Sequence, residues 1–558
     1  MHHPYQRLTV CVPGTGAQFL LAASGHKLFS VNLADGSVVT QWPKEGPNEA
    51  LEEKEVVAEE TEGPPSKKRR LSNEKHEDLP NIIHMVVTAS QNHLVVVTAE
   101  DKCLRVFEIS PEGKLEQLSQ RNMPKKPCAI VISPDDKSIY SADKFGDVYS
   151  LPLVPTAEDH AEFQSRTKKV VEPKAGPAAH ETTVHTKANL RSLESQLKQA
   201  QKGKPLSKPK EPLDFPHDLL LGHVSLLTDL LVTTIKPDES IEKPRTYLIT
   251  SDRDEHVRIS RGPPQAYVIE GFCLGHREFI NKLCLAEPGL LVSGGGDDEL
   301  LIWDWLAQKL VNRVNISKAV QKMKHNFIRE KVVEEDVEMD GSDIRHVPDE
   351  QKIKEEVEAV ENATNTDEKL VEAEERSVHP SAGPPTESKI GKIAVSNIWR
   401  FVSPSMGKAP QSHLLIAIEG LPALFHFPIP SLRTEKGGED IGYIPLPSNI
   451  LDITQLRNTN TLIISVDNIH EPSSTTIVDS SEEFKPRLLA FELVGEDLDG
   501  GAVWKPQKDV DSVLLDLNEQ NTVEWHEKAL QTLLYSVENL RKRGAEEQDG
   551  APEPGMAE

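Results

Sequence analysis

The sequence has few cysteines, the residues whose disulfides cross-link small domains. Only five of its 558 residues are cysteine, and no two of them form a Cys-x-x-Cys pair. Cysteine and histidine spacings typical of a zinc site are also missing. This pattern argues for a reducing compartment and against a zinc centre, so we predict no metal site.

Long apolar runs are missing as well. None approaches the roughly 20 residues that a membrane-spanning helix needs, and no apolar core follows a basic start at the N-terminus, as in a signal peptide. Hydrophobic residues make up 37% of the chain and aromatic residues only 5%. We therefore expect an intracellular protein without a membrane contact.

Charge is abundant but unevenly distributed. The formal net charge is −26, which makes the whole chain a poor binder of polyanions on its own. Residues 334–376 hold 17 acidic and 5 basic side chains, whereas residues 165–210 hold 11 basic and 3 acidic ones. The lysines of 165–210 either touch RNA phosphates or form a solubilising linker, and the sequence leaves both options open.

Two glycine-rich stretches lack the flanking elements of a cofactor loop. Loops that bind a phosphate or a dinucleotide need a helix after them, so that its N–H groups face the anion. Strand-like sequence follows both "SGGGDDE" at 293–299 and "VPGTGAQF" at 12–19. We interpret 293–299 as a hairpin turn and predict no cofactor, neither S-adenosylmethionine nor ATP.

Short apolar runs recur along the chain in pairs separated by a turn. Seven such pairs are present: "FLLAAS" and "KLFSVNL", "HLVVVTA" and "CLRVFEI", "SIYSAD" and "DVYSLPL", "YLITSD" and "HVRIS", "LLVSGGG" and "ELLIWDW", "HLLIAIE" and "ALFHFPI", "TLIISVD" and "RLLAFEL". Asp101 and Asp143 are 42 residues apart, and Asp254 and Asp297 are 43 apart. A repeat of this length with four strands per unit is typical of a β-propeller blade.

The repeats predict one large domain over residues 1–520 with three polar insertions, at about 43–80, 155–215 and 334–388. These segments are too polar to offset the entropy cost of ordering, so we expect them to be disordered and to join blades. An amphipathic helix is predicted over 521–543, with Asn521 and Glu524 at its start. Residues 544–558 are expected to form a disordered tail.

One unit is nearly complete and contains His276, Ser293, Asp297 and Trp303. These residues resemble the WD-repeat family, in which such side chains bond across one blade. The arrangement is physically sound, because a buried aspartate in a turn needs donors and an imidazole supplies one. A histidine, a serine and an aspartate can also mimic a hydrolase triad, but the repeat favours a structural role.

The preceding unit offers His223, Ser251 and Asp254 for the same roles, with Ser260 where the tryptophan would stand. Its turn, "SDRDEHVRIS" at 251–260, is densely charged. These carboxylates could bind a metal ion, but the ligand spacing of a calcium loop is missing.

Residues 219–305 go beyond a generic WD repeat. "LLLGHVSLLTDLLV", "YLITSDRDEHVRIS" and "IEGFCLGHREFINKLCL" together resemble the WD-repeat, non-catalytic subunit of the tRNA guanine-N7 methyltransferase. The resemblance implies an all-β, seven-bladed WD-repeat β-propeller with long disordered insertions and a short C-terminal helix. It also implies a heterodimer with a catalytic methyltransferase chain, which forms N7-methylguanosine in the tRNA variable loop, and tRNA contact mainly through that complex.

Under this resemblance, Arg253, His256 and Arg258 are expected to contact the partner, while Ser251 and Asp254 belong to the repeat. Arg258 stands where the next unit has Leu301, and a charge at that place requires a counter-charge. The sequence leaves two options, a local pair with Asp252, Asp254 or Glu255, or a carboxylate on the methyltransferase. A general WD-repeat scaffold that binds a peptide or chromatin protein is the alternative function.

Four consecutive basic residues, Lys67, Lys68, Arg69 and Arg70, lie between prolines and a polar stretch in the first insertion. The pattern is typical of nuclear import, although a solvated charge cluster has the same composition. We expect the protein in the nucleus, and a cytoplasmic fraction is compatible with this.

Overall fold

The computed structural model arranges the chain as a ring of seven four-stranded antiparallel sheets. Each sheet is one blade of a β-propeller, and its innermost strand faces a central channel. The residues that the structure describes are 3–14, 16–43, 79–168, 190–191, 193–195, 198, 213–236, 243–339, 392–404, 412–434, 441–472, 486–496, 502–520 and 527–542.

The strands follow one another in chain order within each blade. The first blade contains β1 (Arg7–Cys11), β2 (Phe19–Ser24), β3 (Lys27–Asn32) and β4 (Val38–Trp42). The second contains β5 (Ile82–Val87), β6 (His93–Thr98), β7 (Cys103–Ile109) and β8 (Leu115–Asn122). The third contains β9 (Pro127–Ile132), β10 (Ser138–Asp143), β11 (Asp147–Pro152) and β12 (Asp218–Gly222). The fourth contains β13 (Leu227–Ile235), β14 (Arg245–Asp252), β15 (His256–Arg261) and β16 (Ile269–Leu274).

The last three blades follow the same plan. The fifth contains β17 (Ile280–Glu287), β18 (Leu290–Gly295), β19 (Glu299–Asp304) and β20 (Lys309–Asn315). The sixth contains β21 (Val395–Val402), β22 (Ser412–Ile418), β23 (Ala423–Pro428) and β24 (Gly442–Pro445). The seventh contains β25 (Ile450–Gln455), β26 (Thr461–Val466), β27 (Leu488–Glu496) and β28 (Ala502–Pro506). The prediction of seven blades is confirmed, and so is the hairpin turn at 293–299 between β18 and β19.

Burial explains why the second and third strands carry the apolar pattern. The second strand of a blade lies between two neighbouring blades, and every residue of β2, β18 and β26 is buried. The outermost strands β16 and β20 are largely exposed. Each of seven apolar clusters joins side chains of two adjacent blades, as Ile249 and Leu291 do between the fourth and fifth. Burial of apolar surface between the blades therefore holds the ring together.

The ring closes without a strand being exchanged between its two ends. β1 packs beside β25, and the first blade is built wholly from the N-terminal region. Ser465 donates a hydrogen bond to the carbonyl of Tyr5, and the hydroxyl of Tyr5 donates to the carbonyl of Leu517 at 2.9 Å. The buried guanidinium of Arg487 donates to the carbonyl of His3 at 3.2 Å. These hydrogen bonds thus connect the N-terminal segment to the C-terminal part of the propeller and close the ring.

Helices accompany the strands. They include α1 (Ala157–Lys168), α2 (Ser317–Met339), α3 (Lys508–Gln520), α4 (Glu527–Leu534) and the 3-10 helices Ile429–Arg433 and Glu538–Leu540. α3 packs on the seam between the seventh and first blades through Leu514 and Leu517. Among the described residues, no helix is both long and apolar enough to cross a membrane.

The structure corrects the expected insertions at three points. α1 lies inside 155–215, and α2 extends into 334–388 as far as Met339. The insertion 155–215 also does not join two blades, because β12 after it is the fourth strand of the third blade and pairs with β11. Most of the three insertions and the tail 544–558 lie outside the described residues, including Lys67, Lys68, Arg69 and Arg70.

The predicted helix 521–543 is shorter than expected. Residues 521–526 lie outside the described part of the chain, and α4 ends at Leu534. Beyond it, the N–H groups of Val537 and Glu538 donate to the carboxylate of Glu419 at 2.8 and 2.9 Å. These amides bond to the propeller instead of a preceding helical turn, so the helix ends.

Candidate functional site

The fifth blade contains the complete set of cross-blade residues. The ring of His276 lies 2.6 Å from Asp297 through Nδ1 and 2.7 Å from the Ser293 hydroxyl through Nε2. Trp303 donates its indole N–H to the same hydroxyl at 2.8 Å. Burial alone would raise the pKa of Asp297, but the hydrogen bond and charge of His276 outweigh it and the pKa is lowered. The four side chains form a strut inside the blade.

The fourth blade uses other residues for this strut than the sequence suggested. The ring of His223 contacts the Thr250 hydroxyl at 2.9 Å and a carboxylate oxygen of Asp252 at 3.3 Å. Thr250 and Asp252 therefore replace Ser251 and Asp254 in this role. The buried Ser251 hydroxyl bonds to Thr228 instead, at 2.9 Å.

The fourth and fifth blades differ in the spacing between the hydroxyl residue and the aspartate that follows it. In the fifth blade the aspartate follows the hydroxyl residue by four positions, whereas Asp252 follows Thr250 by two. The N–H groups of Asp254 and His256 donate to Asp252 at 2.9 and 3.1 Å, so Asp252 also closes the charged turn. Asp254 points away from the strut and is half exposed.

Arg258 lies on β15 and is almost fully buried, with 7% of its surface exposed. Its Nε donates to the Ser260 hydroxyl and its Nη1 to the carbonyl of Gly222, both at 3.0 Å. Burial lowers the pKa of its guanidinium. Ser260, at the place of the tryptophan, thus serves as an acceptor for this arginine.

No carboxylate balances the charge of Arg258 within the described part of the chain. The three local candidates have other partners. Asp252 contacts His223 and His256, while Asp254 and Glu255 contact Lys542. The option of a local ion pair for Arg258 is therefore excluded for this structure.

His256 lies next to Arg258 at the surface. Its side chain is 46% exposed, and its Nδ1 lies 3.3 Å from Asp252. The ring packs edge-on against Phe272 of β16, with 6.3 Å between the ring centroids. Phe272 and Leu274, on the paired strand β16, expose large apolar side chains beside it, and Val224, next to His223 in the chain, is fully exposed. We call these residues, with His256 and Arg258, the blade 4 patch.

Arg253 occupies a different position from the other two predicted contact residues. Its Nε donates to the carbonyl of Leu540 at 2.7 Å, and its Nη2 donates to the carbonyl of Arg541 at 3.3 Å. It therefore holds the chain's own C-terminal segment. This contact spans 287 residues of sequence, and no local pattern in the sequence signals it.

The C-terminal segment, residues 535–542, crosses the face of the propeller on which the second and third strands of each blade are connected. We call this segment the strap. Tyr535 donates its hydroxyl proton to Asp467 of the seventh blade, and Glu419 of the sixth accepts the two N–H groups described above. Arg541 donates to the carbonyl of Gly296 in the fifth blade at 3.3 Å and lies 3.2 Å from Glu278. The strap thus connects the seventh, sixth, fifth and fourth blades.

A polar cavity of about 440 Å³ runs along the ring axis below the strap. All seven inner strands line it, and Leu533 to Val537 cover one end. Its charged residues include Lys282, which lies 3.5 Å from Asp229, and Asp452. Among the described residues, no group of three or more histidine, cysteine, aspartate or glutamate side chains is arranged to hold a metal ion.

Comparison with known proteins places this architecture in a family. The model of the tRNA methyltransferase TRM82 WD40 domain matches residues 20–491. The chain belongs to this family. The whole of the charged turn and the blade 4 patch lie within the matched residues.

Several curated relatives in the TRM82 family align along nearly their full length. A Phaeosphaeria nodorum protein is 35% identical, and the match covers 98% of this chain and 100% of the relative. One from Aspergillus clavatus is 34% identical, with 96% of each chain covered. One from Coccidioides immitis is 32% identical, with 94% and 95% covered. Each is named a tRNA (guanine-N(7)-)-methyltransferase non-catalytic subunit.

Proposed function

We propose that this chain is the non-catalytic subunit of a tRNA guanine-N7 methyltransferase. It binds a separate catalytic chain and keeps that chain in a productive state, and the catalytic chain forms N7-methylguanosine in the variable loop of tRNA. The names of the curated TRM82 relatives support the reaction class. In this proposal the two chains form a heterodimer, and tRNA is bound mainly through the complex.

The observation that carries the proposal is the unbalanced charge of Arg258. A nearly buried guanidinium with only a hydroxyl and a carbonyl as partners keeps its charge at a desolvation cost. A carboxylate from the catalytic chain at this place would supply the missing counter-ion. Such charge-assisted pairs are shorter and stronger than neutral hydrogen bonds.

The surroundings of Arg258 fit a protein partner. Phe272, Leu274 and Val224 expose apolar side chains next to a charged turn. Protein interfaces combine an apolar centre with a polar rim, and aromatic and arginine side chains dominate their binding energy. The blade 4 patch offers this combination, so we assign the contact with the catalytic chain to Arg258, His256 and these apolar residues.

Co-expression with the catalytic subunit tests the proposal. The two chains should co-purify in a one-to-one ratio, and tRNA should be methylated only when both are present. The chain expressed alone should neither bind S-adenosylmethionine nor methylate tRNA. Failure to co-purify, with capture of a peptide or chromatin protein in its place, would favour a general WD-repeat scaffold.

We further propose that the protein works in the nucleus, with Lys67, Lys68, Arg69 and Arg70 as the import signal. Changing all four to alanine should move a fluorescent fusion protein toward the cytoplasm. The folded propeller should be unaffected, because the four residues lie in the insertion between β4 and β5. An unchanged nuclear signal would show that the cluster is not the import signal.

A further inference from the structure

The strap ends on the same charged turn that supplies the blade 4 patch. Arg253 donates to the carbonyls of Leu540 and Arg541, and the next residue, Lys542, contacts carboxylates of the turn. Lys542 Nζ lies 2.7 Å from a carboxylate oxygen of Glu255 and 3.2 Å from one of Asp254. The hydrogen bond to Glu255 raises the pKa of Lys542. A side chain of the fourth blade thus bonds to the strap, and a side chain of the strap bonds to the fourth blade.

The strap reaches this turn without covering the blade 4 patch. Its contacts on the fourth blade are made by Arg253, Asp254 and Glu255. The side chain of His256, directly after them, stays 46% exposed, and Leu274, its cross-strand neighbour, is 61% exposed. The strap therefore borders the surface where we place the partner and leaves it accessible.

The contacts of Lys542 change the charge that an approaching molecule meets. Three carboxylates, Asp252, Asp254 and Glu255, stand within a few residues of Arg258. Asp252 is buried against two histidines, but Asp254 and Glu255 face the solvent in part. They would repel a carboxylate that approaches Arg258, and charge of the wrong sign at the edge of an interface slows association.

We infer that the strap is part of the partner-binding surface, because Lys542 offsets one of the two negative charges of Asp254 and Glu255 and so lets the blade 4 patch accept an acidic segment of the catalytic chain. This inference rests on the proposed function. Arg253 has a positioning role in it, since it fixes the end of the strap against the turn.

Replacement of Lys542 by alanine tests the inference. Lys542→Ala should weaken assembly with the catalytic chain roughly threefold to tenfold at low salt, mainly through a slower association rate. The difference should shrink as the salt concentration rises, since exposed charges are screened. The melting temperature of the isolated chain should not change, because the Lys542 side chain is 52% exposed.

Two further variants make the result specific. Lys505→Ala removes one charge from the exposed end of β28 and should leave assembly unchanged. In a chain that carries Asp254→Asn and Glu255→Gln, the replacement of Lys542 should have a smaller effect, because Lys542 then has no carboxylate to offset. This double-mutant comparison separates charge neutralisation from a general role of the C-terminus.

Each outcome decides the inference. Equal association rates for the wild-type chain and Lys542→Ala at low salt would overturn it, and faster association of Lys542→Ala would show that the strap competes with the partner. An effect of Lys542→Ala that is undiminished in the Asp254→Asn, Glu255→Gln background would also overturn it. A wild-type chain that forms no complex overturns the proposed function itself, and the inference with it.

Discussion

The Oδ2 atom of Asp452, on the inner strand of the seventh blade, accepts a hydrogen bond from the N–H of Leu8 in the first blade at 2.9 Å. The two residues are 444 positions apart, so this bond joins the two ends of the folded chain. The other carboxylate oxygen accepts the N–H of Ile453 at 2.9 Å. One buried carboxylate therefore contributes to the seam at which the ring closes, beside the hydrogen bonds of Tyr5, Ser465 and Arg487.

We predict that Asp452→Ala lowers the free energy of unfolding by about 1–3 kcal/mol, because it leaves the buried N–H of Leu8 without an acceptor. Asp452→Asn keeps an acceptor oxygen and should cost less. Urea denaturation of the isolated chain measures both. Equal losses for the two variants would show that the hydrogen bond to Leu8 does not matter.

The wild-type chain and Asp452→Asn should also differ in how their stability depends on pH. Burial raises the pKa of Asp452 above the ordinary 3.8, so ionisation of this group is less favourable in the folded state. The wild-type chain should lose stability relative to Asp452→Asn as pH rises from about 3.8 through the raised pKa. A constant difference between the two proteins from acid to neutral pH would contradict this.

The strut in the fifth blade should respond to pH in the opposite sense. Burial alone would raise the pKa of Asp297, but His276 and the backbone N–H groups of Arg277 and Glu278 together lower it from 3.8. The stabilisation is therefore present above about pH 3.8 and is lost as pH falls through the lowered pKa. Asp297→Asn should reduce stability by about 1–3 kcal/mol at neutral pH, and this difference should shrink below pH 3.8. Urea midpoints at three pH values give the comparison, and a pH-independent gap would rule the interpretation out.

The insertion in the third blade allows a test of the topology. Deletion of residues 171–211, with a short glycine–serine linker in their place, should leave the melting temperature nearly unchanged. Deletion of 171–222 with the same linker should lower it strongly, because it removes β12 and exposes the edge of β11. If both deletions are equally tolerated, β12 does not contribute to the blade.

The number of blades could be predicted from the sequence because the second strands are buried on both faces and are therefore continuously apolar, as in "FLLAAS". The helix α3 is also indicated by the sequence, since Val510, Leu514 and Leu517 follow a helical spacing. The position of β12 could not be read, because "DLLLG" is far from β11 along the chain.

The site was predicted only in part. The unusual charge of Arg258 could be recognised because the next repeat has a leucine at that place. The roles of Thr250 and Asp252 were missed for two reasons. The complete repeat has a serine at the hydroxyl position, which favoured Ser251, and its spacing of four from Ser293 to Asp297 does not lead from Thr250 to Asp252. The partner of Arg253 was missed because backbone carbonyls of the strap accept its hydrogen bonds. Every residue has a backbone carbonyl, so the sequence does not indicate which one is the acceptor.

Arg258 is proposed to provide a charge for the catalytic methyltransferase chain. Arg258→Gln keeps a hydrogen-bond donor at this place and removes the charge, whereas Ser260→Ala removes an internal acceptor and leaves the charge. The matched pair therefore separates the contact with the partner from the internal structure of the blade. A melting curve for each isolated variant controls for folding, because Arg258 is nearly buried.

The most direct measurement is the dissociation constant of the complex with the catalytic subunit, for the wild-type chain and both variants. Loss of a buried interfacial charge costs roughly 2–5 kcal/mol, which corresponds to about 30-fold to several-thousand-fold weaker binding. We predict this loss for Arg258→Gln, with methylation of tRNA falling in parallel, and a much smaller change for Ser260→Ala. A folded Arg258→Gln variant that binds the catalytic subunit as tightly as the wild-type chain would contradict the claim.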